Sequence, residues 1–180
     1  SCRLGRSNCC ESLKVLGVHV DGGMQKFLSV DPKLLFKSSD LTVDQLALVE
    51  TLGIGANAVK RADIQAGQSV LIVGAGPIGL AVLQFALANG ADVHMLDISA
   101  SRLEFAESMG AKVTTDVGSD RFEVVFDATG NKGAMEKSFE LVHFAGKLVL
   151  VGLIQGDISF HDPTFHRREM TLLSSRNSYG

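Results

Sequence analysis

Gln68–Asp97 reads QSVLIVGAGPIGLAVLQFALANGADVHMLD. Val70 to Val73 is a short β-branched apolar run with the length of a buried strand. It enters Gly74-Ala75-Gly76-Pro77-Ile78-Gly79, a G-x-G-x-x-G turn. An apolar stretch of helical length, Ile78 to Ala88, follows and stops at Asn89-Gly90, a helix C-cap signal. A second strand, Val93 to Leu96, ends on Asp97. The order is strand, glycine turn, helix, strand, acid.

Each part of that order suits a dinucleotide. Gly74 permits the tight turn out of the strand, Gly76 lets backbone approach a pyrophosphate, and Gly79 lets the helix pack on the sheet. The free amides and the positive dipole end at the helix start attract phosphate. Asp97 lies 18 residues past Gly79, placed to accept hydrogen bonds from both adenosine ribose hydroxyls. A 2′-phosphate there meets like-charge repulsion, which favours NAD over NADP. A glycine turn without a ligand is common, and methyltransferases use a similar turn and acid for S-adenosylmethionine. The strand before the turn and the helix, strand and acid after it favour the dinucleotide.

Outward from this unit the same alternation continues. A helix is expected over residues 101–109 and a third strand over 112–115. A fourth strand over 122–128, a helix over 132–143, a fifth strand over 147–151 and a sixth near 170–174 follow. The pattern predicts an α/β fold, a doubly wound parallel (Rossmann) sheet in the order 3-2-1-4-5-6. Asp127-Ala128-Thr129-Gly130 and Val151-Gly152-Leu153 then fall at the carboxyl edge of the sheet, where such folds bind ligands. Only Asp116 to Arg121 separates the third and fourth strands. That link must shift past two strands and climb one strand length, a diagonal of roughly 21 Å. Seven Cα–Cα steps reach about 25 Å extended and about 10 Å as helix. The crossover is therefore expected to be nearly extended and to leave one face of the first three strands partly uncovered.

Upstream, residues 1–10 (SCRLGRSNCC) read as loop. Cys2 and Cys10 have seven residues between them, a spacing that suits a metal but supplies two ligands where a structural zinc needs four. All three cysteines lie in this corner, which fits reduced thiols in a cytoplasmic protein better than a disulfide scaffold. Val15 to Val20 and Met24 to Val30 read as two strands joined by Asp21-Gly22-Gly23. A helix starting at Thr42-Val43-Asp44 is expected to run to Arg61, interrupted at Gly53-Ile54-Gly55. Glu50 lies in the apolar stretch ALVETLGIG, where a carboxylate is costly unless exposed, paired or bound to a metal. The net charge is −3 with no basic cluster, which excludes a nucleic-acid surface. No apolar run approaches 18 residues, so no helical membrane span is expected. Asp157-Ile158-Ser159-Phe160 alternates as an edge strand does, which suggests self-association.

These segments together resemble a zinc-containing medium-chain dehydrogenase of the sorbitol and polyol branch. The similarity rests on CRLGRSNCC, GVHVDGGMQKFLSV, LVETLGIGANAV, VLIVGAGPIGL, LDISASRLEFAESMGA, VVFDATG, GKLVLVGL and EMTLLSSRNS, which cover nearly the whole chain. The first and second of them suggest members acting on sugar acids. The resemblance implies oxidation of a secondary alcohol of a polyol or sugar acid, with zinc polarising the substrate oxygen and hydride passing to NAD. It implies nucleotide contacts at Gly76, Pro77, Ile78, Asp97, Arg102, Thr129, Val151 and Leu153. Arg102, read from its position alone, is equally a solvated helix-start arginine.

The family's structural zinc loop has four cysteines spaced C-x2-C-x2-C-x7-C. Cys2 and Cys10 match the third and fourth, and Glu50 in VETL matches a glutamate at the catalytic zinc. Thr51 replaces the proline usual in that segment. The implied layout is residues 1–45 from a β-rich catalytic domain, 46–174 as the NAD-binding domain, and 175–180 returning to the catalytic domain. The chain alone is then expected to bind NAD without catalysing, and the whole protein to form a homodimer or homotetramer. The rival expectations are an NAD-binding module without chemistry and a zinc-free quinone reductase. Asp97, the two cysteines and Glu50 speak against the latter.

Overall fold

In the computed structural model, residues 2–178 are described, Cys2 by its backbone alone. The chain divides into two compact units, residues up to 49 and residues 50–178. The second is built on six strands: β1 (Ser69–Val73), β2 (Asp92–Leu96), β3 (Lys112–Thr114), β4 (Phe122–Asp127), β5 (Val142–Leu150) and β6 (Thr171–Ser174). Their order is β3-β2-β1-β4-β5-β6, and every pairing is parallel. This is the expected doubly wound order.

The central strands are buried because both faces are covered. Val70, Ile72, Val93, Met95, Val124 and Phe126 pack on one side with Val82, Leu83 and Ala86 of helix α2 (Pro77–Ala88) and Ala58 of α1 (Val43–Ala62). Leu71, Val125 and Leu148 pack on the other with Phe139 and Leu141. Helix α1 starts on a capping box: Gln45 N–H donates to Thr42 Oγ1 at 3.2 Å, and Thr42 N–H donates to Gln45 Oε1 at 2.9 Å. It runs without the expected break. A Cβ on Gly55 would lie 2.6 Å from the Ala81 carbonyl carbon, so that glycine serves close packing of α1 on α2 rather than interruption.

Three further expectations need correction. Residues 15–30 form no hairpin, and an isolated bridge between Leu16 and Val20 is what remains. Alternating apolar residues make a strand only when a neighbour supplies ladder bonds and covers one face, and here Val18, Val20, Met24 and Phe27 are all exposed. Residues 157–160 are not a strand either. The Ser159 amide donates to Glu136 Oε1 at 2.8 Å, and Phe160 stacks on Phe139 at 4.6 Å, so these residues are held against α4 (Lys132–Ser138) and the turn after it. Strand β5 begins earlier than expected, at Val142. It tolerates a register shift opposite Phe122 and Val124 through Ala145, whose φ is +57°.

The link from β3 to β4 contains no helix. It is held by short-range bonds, Gly118 N–H to Asp116 Oδ1 at 3.0 Å and Asp120 N–H to the Val117 carbonyl at 3.0 Å. Val117 is the one buried side chain within it. The face of β2 on that side, Asp92, His94 and Leu96, is accordingly half-covered, whereas Val93 and Met95 on the opposite face are buried.

Candidate nucleotide site

The carboxyl ends of β1, β2 and β4 open onto a cleft of about 620 Å³. Gly74, Gly76, Pro77, Asp97, Arg102 and Thr129 line it among others. Gly74 has φ +101° and lies against Thr129 and Ala128, a conformation and a proximity that only glycine accommodates. A Cβ on Gly79 would collide with the Gly74 carbonyl oxygen, whereas one on Gly76 would meet nothing within 4 Å. Gly79 is thus required by packing, and the space above Gly76 is left for something outside the chain. Helix α2 begins at Pro77, which has no N–H, so Ile78 and Gly79 carry the first amides without intrahelical partners.

Asp97 is nearly buried at the end of β2. Its Oδ2 accepts from Ala75 N–H at 2.7 Å and its Oδ1 from Ser99 N–H at 2.8 Å. The carboxylate therefore fixes the glycine turn, while a second lone pair on each oxygen remains for a ligand. Arg102 Nη1 stands 4.0 Å from Asp97 Oδ2 and is mostly solvated, a weak surface pair. Ile98, next in the chain, is fully exposed at the cleft.

At the other end, Thr129 N–H and Oγ1 donate to Asp127 Oδ1 at 3.0 and 2.8 Å. Val151, Gly152 and Leu153 do not line the cleft. They follow β5 beside it, with Val151 and Gly152 N–H donating to the Asp127 carbonyl at 2.9 and 3.0 Å. Leu153 is largely exposed. The remaining candidates are elsewhere: Glu50 is exposed on α1, and Cys10 is a half-exposed free thiol in the first unit. The Cys2 side chain lies outside the described residues. Among the described residues no three His, Cys, Asp or Glu side chains converge as a metal site.

Sequence reasoning missed Asn131, Lys137 and Ser138, which also line the cleft, as does Ile98. Ile98 was accessible from its place directly after the acid. Ser138 and Lys137 carried no signal, because they reach the cleft from the last turn of α4, ten or more residues after the strand end they adjoin.

A model of the family described as zinc-binding dehydrogenase matches residues 77–179. The chain belongs to that family. Zinc-binding dehydrogenases similar to it include the L-galactonate-5-dehydrogenase of Escherichia coli K12, 41% identical over 99% of this chain and 56% of the relative. The sorbitol dehydrogenase of Mus musculus is 31% identical over 84% of this chain and 48% of its own length. The chain thus spans about half the length of the curated relatives it matches. Alignment with the E. coli relative runs over 191 positions, at least 11 more than this chain's 180. Among solved structures, an E. coli CFT073 alcohol dehydrogenase (rspB) complexed with NADH superposes with a TM-score of 0.93 at 25% identity over 99% of this chain and 57% of its own. Galactitol-1-phosphate dehydrogenase of E. coli superposes at 0.88 with 27% identity over 99% of this chain and 57% of its own. No described helix is long and apolar enough to cross a membrane.

Proposed function

We propose that this chain is the NAD-binding part of a zinc-dependent, cytoplasmic dehydrogenase. The whole protein oxidises a secondary alcohol of a polyol or sugar acid by hydride transfer to NAD. The observation that carries the reading is the cleft itself: an open space over Gly76 at a helix start, with a nearly buried carboxylate, Asp97, at the end of the neighbouring strand. In this reading the amides of Ile78 and Gly79 face the pyrophosphate and Asp97 receives the adenosine ribose. Arg102 flanks the adenosine, and Thr129 with Val151, Gly152 and Leu153 holds the nicotinamide end. The names of the relatives, a galactonate and a sorbitol dehydrogenase, support a polyhydroxylated substrate. Cys2 and Cys10 are assigned to a structural zinc set and Glu50 to a catalytic one, as partial ligand sets, and the chain alone is inactive. Residues 1–45 and 175–180 are assigned to the catalytic domain, and the open edge of the sheet at β6 supports a homodimer or homotetramer.

Calorimetric titration of the chain with NAD and NADP is the test. Binding of NAD with far weaker binding of NADP is expected. Equal affinities would remove the role given to Asp97, and binding of neither would end the nucleotide reading.

A further inference from the structure

Asp127 ends β4 with 0% of its surface exposed. Its hydrogen bonds reach three separate pieces of chain. Oδ1 takes both donors of Thr129, at 3.0 and 2.8 Å. Oδ2 takes the Ser138 hydroxyl of α4 at 3.2 Å. Its carbonyl takes Val151 and Gly152 N–H at 2.9 and 3.0 Å. Thr129 Oγ1 in turn accepts from Asn131 N–H at 3.1 Å. The two loops are also in backbone contact, since a Cβ on Gly152 would lie 2.5 Å from Gly130 N.

We propose that the Asp127 side chain is a positioning group that ties the 128–131 loop to α4, beside the 151–153 loop held by its main-chain carbonyl, and so shapes the nicotinamide end of the dinucleotide site. This rests on the nucleotide reading above. Burying a carboxylate costs free energy unless its oxygens are satisfied. Here that cost is offset by bonds that order loops rather than by a cation. Burial pushes the Asp127 carboxyl above its ordinary range, and the bonds from Thr129 and Ser138 oppose the shift. A simple packing role would need no acceptor at this point. An apolar residue there would leave Thr129 N–H without its acceptor, while the Ser138 hydroxyl would keep the Ala134 carbonyl at 2.9 Å.

The test compares two ligands on one protein. NAD carries the nicotinamide, and ADP-ribose carries everything up to it. In Asp127→Ala, affinity for NAD is expected to fall about tenfold, the scale of a lost charge-assisted bond, with ADP-ribose affinity nearly unchanged. Asp127→Asn keeps an acceptor oxygen for Thr129 and places an NH₂ towards Ser138 Oγ, so it should recover most of the loss. Equal losses for both ligands, or no loss for either, would overturn the proposal in favour of a purely structural aspartate. Should Asp127→Ala not fold, Thr129→Val removes the bonded hydroxyl, and the same selective loss of NAD is expected. Failure of the unmutated chain to bind either ligand would instead fell the nucleotide reading itself, and the proposal with it.

Discussion

Gly76 and Gly79 stand in one turn and answer to different forces. A methyl on Gly79 would collide with the Gly74 carbonyl oxygen, so Gly79→Ala must displace backbone in the core of the unit. It is expected to destabilise by about 2–3 kcal/mol, in the range of overpacking, and urea denaturation reads it. Gly76→Ala meets no atom and has φ −79°, so its stability should stay within about 0.5 kcal/mol. It should nevertheless lose NAD affinity, because the methyl occupies the space left for the pyrophosphate. A stable Gly76→Ala that binds NAD normally would show that this space is not the phosphate site. Asp97 behaves as both kinds of residue at once. Asp97→Ser with Ile98→Arg should turn preference towards NADP, and because the bonds to Ala75 and Ser99 are lost, it should also cost about 1–3 kcal/mol. The glycines and Asp97 were legible in the sequence because each is demanded by local chemistry at fixed spacing. Ser138 was not, since its place at the cleft depends on how α4 packs back against the end of β4, where it meets Asp127.

Among elements, legibility follows where the stabilising partner lies. The central runs Val70–Val73 of β1 and Val124–Phe126 of β4 are apolar throughout because both faces are covered, and that pattern survives in one dimension. Residues 15–30 have an equally good alternating pattern and form no ladder, because alternation states a need for a partner without supplying one. The start of β5 was obscured by Ala145-Gly146, which reads as a turn but acts as a bulge inside a strand. Asp127, at the end of β4, gives the central sheet a pH signature. Its folded pKa is raised above the unfolded value by burial. Its contribution to stability is therefore most favourable below the unfolded pKa and is lost as pH rises through the folded one. Asp127→Asn does not ionise, so its stability relative to the unmutated chain should improve between pH 4 and pH 7. Denaturation of both proteins at each pH measures this, and other carboxylates cancel in the difference. A difference that does not change with pH would show that Asp127 ionises in the fold as freely as in the unfolded chain.

At the scale of the molecule, the buried apolar residues decide what folds. Among the described residues all of them lie between Ala58 and Met170, and none lies in residues 3–49. The first unit instead exposes Met24, Phe27, Leu35 and Phe36, more apolar surface than a short segment holds without a partner to cover it. Its free energy of folding by burial is correspondingly small. A chain shortened to residues 42–178 keeps the Thr42 cap of α1, both apolar clusters and the whole nucleotide cleft. It should unfold in one transition with stability within about 1 kcal/mol of the full chain. Its NAD affinity should be unchanged, and saturating NAD should raise its stability by about 2.7 kcal/mol at a hundred times the dissociation constant. Because it sheds the exposed apolar residues, it should also stay monodisperse at higher concentration by light scattering. A shortened chain that is unfolded, or that binds NAD much more weakly, would mean that residues 1–41 support the sheet in a way their exposure does not show.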